Sequence, residues 1–405
     1  MANRPLPGSG SSLPEQEIRL LWMTNKGGIK VSITEATTVR WSGKIADTIL
    51  GRCNQQGEDE YVLERWAYVP GMLLMAMARA GVQLDRSEYV SYMERHMDTF
   101  IGEDGSIRTY RLEEYNLDQI NEGKNLFLLY QRTGEERYAK AADLLAAQLI
   151  GHPRTSEGGF WHKKVYPFQM WLDGLYMASP FLAEYGKVFQ RPELIDEAAH
   201  QLLLVERRTR DPRTGLLYHG WDESKEQEWA DSSTGLSSHF WSRAMGWYAM
   251  ALVDCLEHFP LAHPKRGTVI GIFQRMCGAL LEVQDKETGL WYQVLDQAGR
   301  KGNYLEASGS CMFVYAMAKG LRLGYLEPSF SEAMLKGYAG IIEHLTEEDE
   351  HGVHLHHICH GAGLSKDRNG SYDYYISEEV QSDVPMGVAP LLLASLEVER
   401  YQAAG

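Results

Sequence analysis

Cysteine is scarce in this chain and long apolar runs are missing. The five thiols, Cys53, Cys255, Cys277, Cys311 and Cys359, are odd in number, scattered and free of any C-x-x-C pair. That pattern excludes a disulfide framework and suits buried thiols in a reduced compartment. No stretch reaches the run of about 18 apolar residues that a membrane helix requires, and the opening MANRPLPGSGSSLP lacks the apolar core of a secretory signal. Both absences point to a cytoplasmic protein. Positive charge is also in deficit, with 40 Lys and Arg against 55 Asp and Glu and a formal net charge of -15. A nucleic-acid backbone or an anionic membrane needs a positive field, so neither is expected as the main partner. An acidic small molecule would need a basic pocket of its own.

What is present is ordinary for a globular protein: 44% apolar and 23% charged residues. A length of 405 residues allows one large or two ordinary domains. Residues 1–15 are rich in Pro, Gly and Ser and are expected to be flexible, leaving 16–405 as a single domain. Within it, apolar, small-residue stretches recur at 66–80, 118–131, 173–185, 240–256, 308–323 and 385–396. More polar amphipathic stretches lie between them at 86–100, 136–150, 193–205, 267–283 and 330–345. This alternation reads as repeated helical hairpins. Gly-aromatic turns precede the central helices, at Gly158-Gly159-Phe160-Trp161, Thr214-Gly215-Leu216-Leu217-Tyr218 and Thr288-Gly289-Leu290-Trp291-Tyr292. The predicted architecture is all-α, a closed (α/α)6 barrel with inner helices around a central depression.

Five polar clusters punctuate the pattern. In Trp171-Leu172-Asp173-Gly174 a carboxylate stands between a tryptophan and a glycine where a helix begins. An Asp N-cap explains this placement as well as chemistry does. Asn116-Leu117-Asp118-Gln119 offers a capping box through Asn116 and Gln119, which accounts for Asn116 but not for Asp118. Trp161-His162-Lys163-Lys164 sets a histidine and two lysines beside aromatics, a combination suited to gripping an anionic sugar. His219-Gly220-Trp221-Asp222-Glu223 follows a Gly turn. Trp241-Ser242-Arg243 opens an inner helix, with Arg243 off the apolar stripe formed by Trp241, Met245, Tyr248, Leu252 and Cys255 and therefore expected to face a ligand. A further group, His351, His354, His356, His357, Cys359 and His360, lacks standard ligand spacing. Its alternation fits a short strand, and no metal is expected there.

The order GGFWHKKVYPFQMWLDGLYMASPFLAEY, HGWDES, FWSRAMGWYAMAL, EASGSCMFVYAMAKG and GSYDYYISE resembles the unsaturated rhamnogalacturonyl hydrolases, glycoside hydrolase family 105, related to the unsaturated glucuronyl hydrolases of family 88. The resemblance runs from about Trp66 to the C terminus and implies the same six-hairpin barrel. It also implies Asp173 as the catalytic acid and Asp118 as the second carboxylate. His162, Lys163, His219, Trp241 and Arg243 would be sugar-binding positions, with Trp171 and the loosely matched Tyr68 also lining the pocket. The family's C-terminal D-x-K-G stretch reads Asp383-Val384-Pro385-Met386-Gly387 here, so its lysine is replaced by Met386.

The implied substrate is a small acidic oligosaccharide ending in a 4,5-unsaturated uronic acid, as a pectin lyase would leave it, with an unsaturated rhamnogalacturonan disaccharide favoured. The implied reaction is hydration of the double bond by Asp173, with no cofactor. It asks Asp173 to hold a proton near neutral pH, and burial together with the neighbouring Asp118 is expected to raise its pKa. An ordinary α/α-toroid glycosidase, a glucuronyl hydrolase on another lyase product and a non-catalytic sugar-binding protein remain as alternatives. A monomer and a homodimer fit the sequence equally.

Overall fold

The computed structural model describes residues 40–54 and 64–404; the segment 1–15, expected to be flexible, lies outside the described residues. Six helices form an inner ring: α2 (Tyr68–Leu84), α4 (Lys124–Thr133), α6 (Leu172–Val188), α8 (Ser242–His258), α10 (Ala307–Arg322) and α13 (Pro385–Ala404). Each packs on the next, and α13 closes the ring against α2. Six more pack outside them: α1 (Trp41–Asn54), α3 (Ser87–Asp98), α5 (Glu136–Ile150), α7 (Pro192–Thr209), α9 (Arg266–Glu282) and α11 (Ser331–Gly340). The result is the predicted (α/α)6 barrel. Helix α1 completes the sixth pair and was not foreseen, because its apolar residues are sparse among polar ones.

Burial separates the rings. In α8 every residue from Ser242 to Leu256 is buried, including Arg243, so the helix has no solvent face for its stripe to define. The outer α3 and α5 bury one side and leave the other in water, as amphipathic helices do. The stretch at 118–131 departs from the expected continuous helix. It runs as two 3-10 turns, Leu117–Gln119 and Asn121–Gly123, before α4 begins. Close approach to α2 is the cause: a Cβ on Gly71 would lie 2.5 Å from the Cα of Glu122, and the buried Glu122 carboxylate accepts the Ala67 N–H at 2.8 Å.

Because inner and outer helices alternate along the chain, all six inner helices start at the same end. The Gly-aromatic turns lie there, just ahead of those starts. Gly215 and Gly289 adopt φ of 78° and 76°, a left-handed conformation that glycine enters without steric cost. At each turn an aspartate, Asp211 or Asp285, accepts hydrogen bonds from the following threonine's N–H and hydroxyl. A third copy, Asp231-Ser-Ser-Thr-Gly235, escaped the sequence reading and closes the same way. Three two-stranded sheets accompany the barrel: β1 (Gln169–Trp171) with β2 (Gly220–Asp222), β3 (Thr346–Asp349) with β4 (Gly352–Leu355), and β5 (Ile358–Cys359) with β6 (Val380–Gln381). A short helix, α12 (Tyr372–Ser377), sits between β5 and β6.

Among the described residues no helix is long and apolar enough to cross a membrane. The histidine-rich stretch forms β4 and β5, with Val353 and Leu355 turned into the core. Its imidazoles bond to side chains, His354 to Asp383 at 2.7 Å and His360 to Gln381 at 2.9 Å. Among the described residues no group of three or more His, Cys, Asp or Glu is placed to hold a metal.

Candidate active site

Backbone pairing stitches the polar clusters together. Strands β1 and β2 are antiparallel with Trp171 opposite Gly220, and the Leu172 N–H donates to the His219 carbonyl at 3.0 Å. This register sets Asp173 against His219. Asn116 bridges Lys163, and the Leu117 N–H donates to the His162 carbonyl at 3.2 Å, which brings Asp118 against Lys163. Gly174 is required for the packing between them, since a Cβ there would stand 3.0 Å from both His162 Nδ1 and Leu117 Cδ1.

These residues surround a pocket of about 360 Å³ at the N-terminal end of the inner helices, lined by Tyr68, Asp118, His162, Lys163, Trp171 and Asp173. Helix α6 begins at Leu172, with Trp171 and not Asp173 in the cap position. The capping explanation for Asp173 is therefore set aside. Asn116 does cap, accepting the Asp118 N–H at 3.0 Å, but Gln119 turns to Glu114 instead of completing the box.

The two carboxylates have different neighbours. Asp118 Oδ2 lies 2.5 Å from Lys163 Nζ, and Asp118 Oδ1 lies 3.6 Å from His162 Nε2. Burial disfavours the Lys163 ammonium, but Asp118 outweighs it and holds the amine above its usual range. Asp173 Oδ2 lies 3.2 Å from Nε2 of His219, a histidine wholly removed from solvent. Burial pushes the Asp173 carboxyl up, yet hydrogen bonding to His219 and the nearby imidazoles pull it further down, so its net position is below the ordinary aspartate value. This corrects the expectation of a raised pKa. The contact with His219 favours the ionised form of Asp173. His162 is driven down to about 4 by burial and is neutral at pH 7.

Three residues expected at the pocket stand behind its wall. His219 and Trp241 are buried, their rings 4.8 Å apart. Arg243 is 2% exposed. Its guanidinium donates to Ser308 Oγ at 2.8 Å and to the carbonyls of Cys359 and His360, with Glu306 at 3.8 Å. It holds protein, not open space. Trp171 lines the pocket, with the rings of His162 and Tyr166 stacked against it at 4.5 and 4.9 Å. Tyr166 also lines the pocket.

The sequence reading also missed Met177, one turn below Asp173, and an arm at 361–370 that supplies Ala362, Gly363, Leu364, Ser365 and Arg368 to the wall. It missed Tyr375, whose hydroxyl lies 2.8 Å from Nδ1 of His219. The GSYDYYISE motif carried that tyrosine in plain view. Nothing local distinguishes it from its neighbours Tyr372 and Tyr374.

The model of Glycosyl Hydrolase Family 88 matches residues 41–402. The chain belongs to Glycosyl Hydrolase Family 88. It is therefore a glycoside hydrolase, and the matched region takes in the whole pocket. A solved glycoside hydrolase of family 105 from C. acetobutylicum ATCC 824 is 46% identical, with a TM-score of 0.86 over 89% of this chain and all of that one. Protein Atu3128 of Agrobacterium fabrum is 41% identical over 55% of this chain and 97% of its own length. The unsaturated rhamnogalacturonyl hydrolase YesR of Bacillus subtilis is 26% identical over 75% of this chain and 82% of its own. These relatives place the family 88 chain beside family 105, in agreement with the resemblance carried by its motifs.

Proposed function

We propose that this hydrolase removes a 4,5-unsaturated uronic acid from the non-reducing end of a lyase-generated oligosaccharide, by hydration of the double bond and not by direct attack on the glycosidic bond. The observation that carries the reading is the inequality of the two acids. Asp118 is engaged by Lys163, which leaves Asp173 as the one pocket carboxylate with only a histidine beside it. A single acid that gives and then takes a proton suffices for hydration, whereas direct hydrolysis asks two carboxylates to act together.

Asp173 in its protonated form delivers the proton to C4. Water adds to C5, and its proton returns to the Asp173 carboxylate. The resulting hemiketal opens to a ketone at C5, and the hemiacetal left at C1 expels the neighbouring sugar. Asp173 is held ionised in the free pocket, so it must take up a proton when substrate binds. An anionic sugar favours that uptake, because a second negative charge raises the pKa of the first. Lys163 keeps Asp118 in place as a wall of the pocket, and Tyr68 and Tyr166 offer ring and hydroxyl contacts to the sugar. A pocket of this volume suits a small ligand better than a polymer chain.

Rhamnose is the favoured neighbouring sugar, supported by the likeness to YesR and by the WHK and HGW motifs. A second relative, the unsaturated 3S-rhamnoglycuronyl hydrolase of Formosa agariphila, is 29% identical over 41% of this chain. Incubating the enzyme with an unsaturated rhamnogalacturonan disaccharide should abolish the ultraviolet absorbance of the conjugated double bond and release rhamnose. Persistence of that absorbance across unsaturated rhamnogalacturonan, glucuronan and sulfated disaccharides would overturn the proposal.

A further inference from the structure

Charge accounting in the pocket leaves one cation over. Asp118 and Lys163 neutralise each other at 2.5 Å, and Arg243, at the start of α8, is consumed by Ser308 and by the carbonyls of Cys359 and His360. Arg368 also lines the pocket. Among the described residues it has no ion pair and no side-chain hydrogen bond. It is exposed at the rim.

The arm that carries Arg368 is built to hold it in place. Ser365 and Arg368 exchange backbone hydrogen bonds of 3.0 and 3.1 Å, closing a tight turn. At one root the Gly363 N–H donates to the Tyr374 hydroxyl at 2.9 Å, and at the other Ser238 Oγ donates to the Gly370 carbonyl at 2.6 Å. Leu364 is buried against Trp171 and Trp229. The guanidinium lies alongside Gly363, where an added Cβ would come within 3.3 Å of Nη1. A side chain on Gly363 would thus crowd the arginine.

We propose that Arg368 is a specificity-determining residue that receives a carboxylate of the bound saccharide through its planar fork. The inference rests on the reading of the substrate as an acidic saccharide. It assigns the recognition of charge to the rim arm, and to Arg243 the task of anchoring that arm's origin at Cys359 and His360. Arg368 is exposed and packs no core, so its replacement leaves the barrel intact.

Binding tests the proposal apart from turnover. In a D173N background, calorimetry would measure the affinity of an unsaturated disaccharide, its methyl ester at the terminal uronate, and an analogue carrying a second uronate, each with and without R368A or R368K. R368A should weaken the acid by roughly tenfold or more, the order expected of one charge-assisted contact, and R368K should recover only part of that. The ester should bind the parent poorly and lose little further. A loss cancelled by the terminal ester assigns the contact to the unsaturated sugar, and a loss confined to the second uronate assigns it to the leaving side; either supports Arg368 as the receptor. Equal losses for charged and neutral ligands, or a parent that prefers neither the acid to its ester nor the second-uronate analogue to the disaccharide, would overturn it. Failure of wild-type protein to turn over any unsaturated disaccharide would instead sink the proposed reaction and leave the affinity comparison standing.

Discussion

The hydroxyl of Tyr375 lies 2.8 Å from Nδ1 of His219, and Nε2 of the same ring lies 3.2 Å from Asp173. Three side chains from distant parts of the sequence thus form one buried line that ends at the pocket carboxylate. When Tyr375 donates to Nδ1, the ring's proton sits on Nε2 and faces an ionised Asp173. When Asp173 is protonated, the opposite arrangement serves equally well. Tyr375→Phe leaves Nδ1 buried without a partner, at a cost of about 1–3 kcal/mol in stability. The expected kinetic effect is a fall in kcat of roughly tenfold, about 1.4 kcal/mol in the barrier. KM should hardly move, because Tyr375 does not line the pocket. A change in KM alone would show that Tyr375 acts on the pocket's shape.

Asp173→Asn should lower kcat by about 100- to 10,000-fold, the usual range for a general acid–base group. Thermal unfolding should stay close to wild type, since Asp173 caps no helix. A variant that keeps more than a tenth of wild-type kcat would remove Asp173 from the chemistry.

The pH dependence follows from the same carboxylate. Its pKa in the free pocket is depressed, so the protonated, active form is scarce above the ordinary aspartate range and kcat/KM should fall as pH rises. In the complex, the substrate's negative charge raises Asp173, so the falling limb of kcat should lie at higher pH than that of kcat/KM. Coincident limbs would mean that substrate binding does not change the acid.

Arg243→Lys should reduce activity on charged and esterified substrates alike, by loosening the carbonyls of Cys359 and His360 at the origin of the arm. Loss of the bonds to Ser308 and these carbonyls is expected to cost about 1.5–3 kcal/mol in stability, visible as a lower Tm. A selective loss on the charged substrate, with Tm unchanged, would make Arg243 a carboxylate receptor instead.

Far from the pocket, a buried ion network ties the inner ring together: Asp254 lies 2.7 Å from Lys319 and 3.5 Å from Arg79, and accepts the Tyr315 hydroxyl at 2.6 Å. Asp254→Ala removes one of the two carboxylates beside the Lys319 ammonium, which is only 1% exposed, and leaves Glu257 at 2.6 Å as the other. A destabilisation of about 1–3 kcal/mol, the cost of buried polar groups losing a partner, is expected in chemical denaturation. A loss below about 1 kcal/mol, the typical value for an exposed pair, would show that the network is open to water.

The helical hairpins were legible because burial imposes periodicity. Eleven of the twelve barrel helices correspond to stretches whose apolar and small residues repeat at helical spacing, and α1 escaped only because its apolar positions are few. The motifs likewise marked Asp173, Asp118, His162 and Lys163, which short backbone bridges bring together. Position in the sequence could not say which way a side chain would be used. Arg243 stood off an apolar stripe, but a helix buried on all sides has no free face, and its guanidinium was claimed by carbonyls more than a hundred residues away. Trp171 lines the pocket, but only the fold shows that His162 and Tyr166 stack against it. The depressed pKa of Asp173 was invisible for the same reason: it depends on His219 reaching across β1 and β2 and on His162 close by. Periodicity and local spacing determined the barrel and its chemical groups. Which groups remained unpaired was decided only when the ring closed, because pairing is a property of neighbours in space.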